Sequence, residues 1–197
     1  MCNSYTLTKA MLKESKRAGR LCDLIDGDAD RSLVRPTLSG VVGLAGCCEM
    51  MRWGFHRPFA NAVNNTRSDK LSSPMWREAF ERRRCVIPVS SWYEFSGPQG
   101  RKQAYEFTLR DGSLLWAAGI WEESENFGRC YSMIMTDANS FVAKIHDRMP
   151  VLLPDGALDN YLASGSISFT SSEVELAVVA TANPLKKMRG GEQGELF

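Results

Sequence analysis

Histidine is scarce in this chain. Only two occur in 197 residues, His56 and His146. The six cysteines, at positions 2, 22, 47, 48, 85 and 130, include no Cys-x-x-Cys pair. With so few imidazoles and no paired thiols, a structural zinc site is not expected. A chain this long, with no export signal ahead of it, has no need of a disulfide framework, so the thiols read as reduced. Long apolar runs are also missing. The longest, Leu114–Ile120 and Leu176–Ala180, are far too short to span a bilayer. The opening stretch MCNSYTLTKAMLKESKRAGR has no apolar core followed by a cleavage site, so no secretory signal is expected. Net charge is nearly absent too. Twenty-four Lys and Arg face 23 Asp and Glu, for a formal charge of +1. Any binding of a polyanion must therefore use a local basic face.

What is present is an ordinary globular composition, 44% hydrophobic and 24% charged. The length suits one domain, taken as residues 1–197 with a polar tail over 186–197. Thr8 is placed to cap a helix running to about Cys22. The acidic stretch DLIDGDADRS reads as a loop. Val41–Ala45 and Glu49–Trp53 read as strands, followed by a long polar loop, HRPFANAVNNTRSDKLSS. Ser73-Pro74 opens a helix with Trp76, Ala79 and Phe80 on its inner face. Strands then dominate: CVIPV, SWYEF, QAYEFTLR, SLLWAAGIW and CYSMIMT. A short helix around Ala138–Lys144, a loop HDRMP, a helix ALDNYLA and a last strand VELAVVAT complete the order. Many strands with few helices predict an α+β fold around a mainly antiparallel, barrel-like sheet.

Several residues carry chemistry. If Met1 is removed, which a small second residue permits, Cys2 presents an α-amine and a thiol on neighbouring carbons. Both reach their nucleophilic forms near neutral pH. An aldehyde condenses with such an amine to an imine, and the thiol then closes a thiazolidine ring intramolecularly. By position alone an incidental cysteine is the commoner reading. Glu94, on Trp92's side of the SWYEF strand, is either an outward polar residue or an acid/base. His146 beside Asp147 and Arg148 suits proton transfer or phosphate contact, although single histidines are usually structural. His56 suits a surface or packing role. Asn65 and Arg67 suit substrate orientation and phosphate clamping, or simply a solvated loop. Arg82, Arg83 and Arg84 complement a helix C-terminus. Interleaved with Trp53, Trp76 and Trp92, they suit a basic stacking groove for a single strand.

In their order along the chain, Met1-Cys2, RWGF (52–55), NTR (65–67), RRRCVIP (82–88), WYEF (92–95), AAGIW (117–121), MTDAN (135–139) and IHDRMP (145–150) resemble the SRAP family. These are the SOS response-associated peptidases, or abasic-site processing proteins. The resemblance covers nearly the whole chain. It implies a cytoplasmic, DNA-associated monomer that needs no cofactor, metal or membrane. Its partner would be single-stranded DNA containing abasic sites. Cys2 would be the covalent nucleophile, Asn65 its neighbour, and Glu94 and His146 the acid/base groups. Trp53 would wall a flanking base, and Arg67, Arg84 and Arg148 would contact the DNA backbone. Three departures stand out. Asn3-Ser4 replaces the family's Gly-Arg after the cysteine, Thr66 replaces the alanine of Asn-Ala-Arg, and Asp69 replaces a glutamate. The alternatives are a thiol peptidase built on Cys2, His146 and Asn65 or Glu94, and a non-covalent single-strand binding module.

Overall fold

A computed structural model describes residues 2–14, 31–167 and 174–185. Period-2 alternation accounts for the main strands. In β8 (Arg84–Val89) Cys85, Ile87 and Val89 join one buried cluster, while Val86 joins another. The same split separates Leu115 and Ala117 from Trp116, Ala118 and Ile120 in β11 (Leu115–Ser124). In β12 (Gly128–Asp137) it separates Tyr131, Met133 and Met135 from Cys130 and Ile134. Strands that bury both faces need cover on each, and the fold supplies it from two directions.

The ring begins with β3 (Ser39–Gly43) and β4 (Cys48–Trp53). β11 pairs β8, β8 pairs β3, β3 pairs β4, β4 pairs β12, and β12 returns to β11. This closes a five-stranded barrel, antiparallel except at β4–β12, and closure leaves these strands no unpaired edge. The helices α2 (Arg77–Arg82) and α3 (Leu158–Ser164) bring Ala79, Leu158 and Tyr161 to the second cluster. A separate five-stranded sheet covers the first cluster, in the order β14 (Leu176–Thr181), β10 (Gln103–Leu109), β9 (Ser91–Ser96), β1 (Tyr5–Thr8), β2 (Arg31–Val34). It contributes Tyr5, Trp92, Phe107 and Leu176. The α+β class and the barrel-like sheet expected from the sequence are the observed ones.

Several local expectations are corrected. The polar stretch after Trp53 is not a loop throughout. It forms the hairpin β5 (Phe55–Arg57) and β6 (Ala60–Val63), then β7 (Asn65–Arg67), which pairs in parallel with β12. Strands of three or four residues are too short for alternation to show. The HDRMP segment likewise contains β13 (Arg148–Pro150), which pairs with β12. The expected helix at Ala138–Lys144 is a 3-10 turn over Val142–Lys144. Thr8 ends β1, and its hydroxyl lies 3.2 Å from Ser90 Oγ. Of the helix expected to run to Cys22, Lys9–Glu14 is helical (α1) and the rest lies outside the described residues, as does the tail over 186–197.

Candidate active site

Three elements converge on Cys2. β1 begins just after it, and Tyr5 pairs with Trp92 of β9, which brings Glu94 to the same end of the sheet. β7 aligns beside β12 with Asn65 opposite Met133, so the Asn64-Asn65 pair reaches the N-terminal segment from the barrel side. The 3-10 turn carries His146 in from the third direction. Asn139 Oδ1 accepts from the N–H groups of Phe141 and Val142, and His146 N–H donates to Val142 O.

The Cys2 carbonyl is held twice. Asn65 Nδ2 donates to it at 2.7 Å and Asn64 Nδ2 at 3.1 Å. Asn64 is itself anchored, its own carbonyl accepting from Trp53 Nε1 at 2.8 Å and from Met133 N–H at 2.9 Å. Two side-chain amides on one carbonyl fix the backbone of residue 2. The Cys2 thiol is fully buried and donates to Ser4 O at 3.5 Å. Burial raises its pKa, and the neighbouring Glu94 carboxylate raises it further. The resting group is therefore a thiol and not a thiolate. Near it Asn65 Oδ1 and Ser4 Oγ are buried with no hydrogen-bond partner among the described residues.

Glu94 is 1% exposed, which overturns the outward reading of this strand position. Burial pushes its carboxyl from an ordinary 4.5 up to about 7. His146 Nε2 stands 3.7 Å from Glu94 Oε2. On the other side of the ring Arg148 N–H approaches Nδ1 at 3.0 Å. Asp147 Oδ1 and Arg148 O lie 3.1 and 3.2 Å from the same nitrogen. Desolvation lowers the His146 pKa, which favours the neutral ring, and Nε2 is the nitrogen that faces Glu94. A carboxyl raised and an imidazole lowered, side by side, form an acid/base pair poised near neutral pH. The pair opens into a cavity of about 400 Å³ lined by Asn3, Glu94, Phe95, Lys102, His146 and Asn183. A larger cavity of about 770 Å³, between Met11 and Leu152–Pro154, includes neither Glu94 nor His146. Chemistry rather than size selects the smaller one.

The residues assigned to DNA contact fare differently. Trp53 is 0% exposed, edge-on to Tyr5 at 5.1 Å and stacked on Tyr131 at 6.3 Å. It has no face open to a base, so its expected place as a base wall is corrected to that of a support for Asn64. Trp76 and Trp92 are buried as well, which removes the stacking groove inferred from interleaved tryptophans and arginines. Arg84 is also corrected. Its guanidinium donates to the carbonyls of Phe80, Glu81, Leu162 and Ala163, which caps α2 and ties it to α3, leaving one N–H uncommitted. Arg83 is engaged with Glu78. Arg67 is exposed and forms a bidentate pair with Asp69, and Arg148 pairs with Asp137 at 3.0 Å on the neighbouring strand. His56 is exposed, with its ring 5.5 Å from Phe127, in keeping with a surface role. Asn64 was not anticipated, because adjacent asparagines in a polar stretch give no sign of which reaches a distant carbonyl. Among the described residues no group of three or more His, Cys, Asp or Glu is placed to hold a metal ion, and no helix is long and apolar enough to cross a membrane.

A family model described as SOS response associated peptidase (SRAP) matches residues 1–188. YoaM of Bacillus subtilis, an abasic site processing protein, is 28% identical over 154 residues, 66% of this chain and 67% of that protein. YoqW of the same organism, also an abasic site processing protein, is 32% identical over 118 residues, 53% of this chain and 52% of that one. The match thus spans between half and two thirds of these relatives' length. A crystal structure of a Bordetella bronchiseptica protein aligns with a TM-score of 0.73 at 20% identity, covering 92% of this chain and all of that one.

Proposed function

Since the chain belongs to the SOS response associated peptidase (SRAP) family, we propose that it processes abasic sites in single-stranded DNA by bonding covalently through Cys2. The observation that carries the reading is the doubly clamped Cys2 backbone beside the Glu94–His146 pair. Loss of Met1 frees the Cys2 α-amine on the clamped residue. The closed deoxyribose opens as the Glu94–His146 pair removes the C1′ hydroxyl proton and delivers a proton to the ring oxygen. The amine nitrogen then bonds to the C1′ aldehyde, and its proton passes to the oxygen, giving a carbinolamine.

Glu94, near half-protonated at pH 7, donates a proton to that hydroxyl, which leaves as water. The iminium carbon next accepts the Cys2 sulfur. The thiol proton returns to the Glu94 carboxylate, so the acid is regenerated and the net change is the loss of one water. A thiol that stays protonated at rest suits this sequence, because its proton is given up only as the sulfur–carbon bond forms. It suits a thiol peptidase poorly, since that chemistry needs a ready thiolate. A strand already single saves the cost of unstacking a duplex.

A denaturing gel with an abasic oligonucleotide, paired with intact mass, tests the reading. The expected adduct has the mass of protein without Met1 plus DNA less one water, and Cys2→Ala forms no heat-stable adduct. A stable adduct that survives Cys2→Ala places the nucleophile elsewhere. A non-covalent binding module leaves no adduct at all.

A further inference from the structure

Four of the cations the sequence offers for phosphate are committed. Arg67 is held by Asp69, Arg148 by Asp137, Arg83 by Glu78, and Arg84 by four carbonyls. The family's arginine two residues after the cysteine is replaced by Ser4, whose hydroxyl is buried without a partner among the described residues. Yet the cavity in front of Glu94 has a carboxylate in its lining, and a phosphate brought there without a cation would meet like charge. One lining residue answers this. Lys102 is exposed, lies between the β9–β10 turn and the start of β10, and pairs with no carboxylate among the described residues. Its positive charge also opposes protonation of His146.

The turn holds the lysine in place. Arg101 N–H donates to Pro98 O, and Gly97 and Gly100 take φ of 111° and 86°, a backbone region that side chains disfavour. Gln103 continues into the ladder opposite Ser96. The lysine stem is thus carried on ordered backbone at the cavity rim.

We propose that Lys102 is the phosphate-binding residue of this cavity, taking a backbone phosphate next to the abasic sugar and so holding C1′ against Cys2. This rests on the reaction proposed above. A lysine suits the place, since it meets phosphate as a compact point charge and can follow a backbone that shifts as the sugar opens.

The test separates binding from chemistry. A fluorescent single-stranded oligonucleotide carrying one tetrahydrofuran abasic analogue, which has no aldehyde, reports binding by anisotropy. Lys102→Gln is expected to weaken it by about three- to tenfold at low salt, for one lost charge-assisted contact. It should flatten the dependence of log affinity on log salt by about 0.7. Lys102→Arg should restore most of both. In parallel, adduct formation with a genuine abasic oligonucleotide should suffer more in Lys102→Gln than adduct formation with phosphate-free 2-deoxyribose. Affinity and salt slope equal to those of the unaltered protein would overturn the proposal, as would equal deficits with the two aldehydes. If the unaltered protein forms no adduct with either aldehyde, the covalent reading fails on its own, and the analogue still reads Lys102.

Discussion

Replacing Glu94 by Gln tests the physical state of the acid directly, through stability rather than activity. Glu94 is 1% exposed and its carboxyl is pushed by burial from 4.5 to about 7. A shift of that size corresponds to about 3 kcal/mol, at about 1.4 kcal/mol for each unit of pKa. The sign follows from proton binding. Between these two values the folded chain holds the proton and the unfolded chain releases it, so stability falls as pH rises from about 4.5 through about 7, by about 3 kcal/mol from this group. His146 has the opposite tendency. Its folded pKa is lowered, so the neutral ring loses stability as pH falls below its ordinary value. Because His146 stands 3.7 Å from Glu94, the comparison is made in a His146→Gln background, which removes its contribution from both proteins. At position 94 Gln preserves the shape but carries no charge to bury, so the variant should match or trail its parent near pH 4.5 and exceed it at pH 8. The gain at pH 8 should approach about 3 kcal/mol, or about 6–12 °C in melting temperature for a chain of this size. Thermal unfolding followed by circular dichroism across that range reads it. Parallel melting curves for the two proteins at every pH would refute the claim that Glu94 is buried with a raised pKa. Glu94→Gln alone should slow adduct formation by about 100-fold or more, the usual scale for a lost general acid.

The other expectations are narrower. Asn65→Ala should slow single-turnover adduct formation by about 10- to 100-fold through misplacement of the Cys2 amine, and Asn64→Ala by about two- to tenfold for one lost hydrogen bond; equal rates in both variants and the parent would show the carbonyl clamp to be idle. Trp53→Phe should destabilise the fold by about 1–3 kcal/mol, since the Asn64 carbonyl loses its indole donor, yet leave single-strand affinity unchanged because the ring is already buried; a selective loss of affinity with unaltered melting would restore Trp53 as a base contact. Gly40→Ala should cost about 1–3 kcal/mol, because a Cβ there would collide with the hydroxyls of Tyr5 and Tyr131; an unchanged denaturation midpoint would show that this buried tyrosine pair has room to move.

The sequence alone determined the part of this protein that is covalent or local. Cys2 carries its backbone nitrogen and its thiol on adjacent carbons, so the aldehyde chemistry proposed once Met1 is lost needs no fold to be read. The order of short motifs along the chain likewise sufficed for the family. Strands such as β8 and β12 were legible because each is long enough for alternation to show which side chains turn inward. Only the tertiary structure decided the fate of the charged and polar residues. Whether an arginine meets DNA depends on what already holds it. Arg84 is spent on carbonyls of which two lie 78 and 79 positions away, and Arg67 and Arg148 on acids two residues along and one strand over. Asn64 and Asn65 reach Cys2 across 62 and 63 positions, through a strand too short to announce itself. Trp53 is buried against Tyr5 and Tyr131, residues 48 and 78 positions away that only the folded chain brings to it. Backbone propensity and periodicity act over a few residues, whereas burial, pKa and hydrogen-bond partners are set by segments that meet only when the chain is folded.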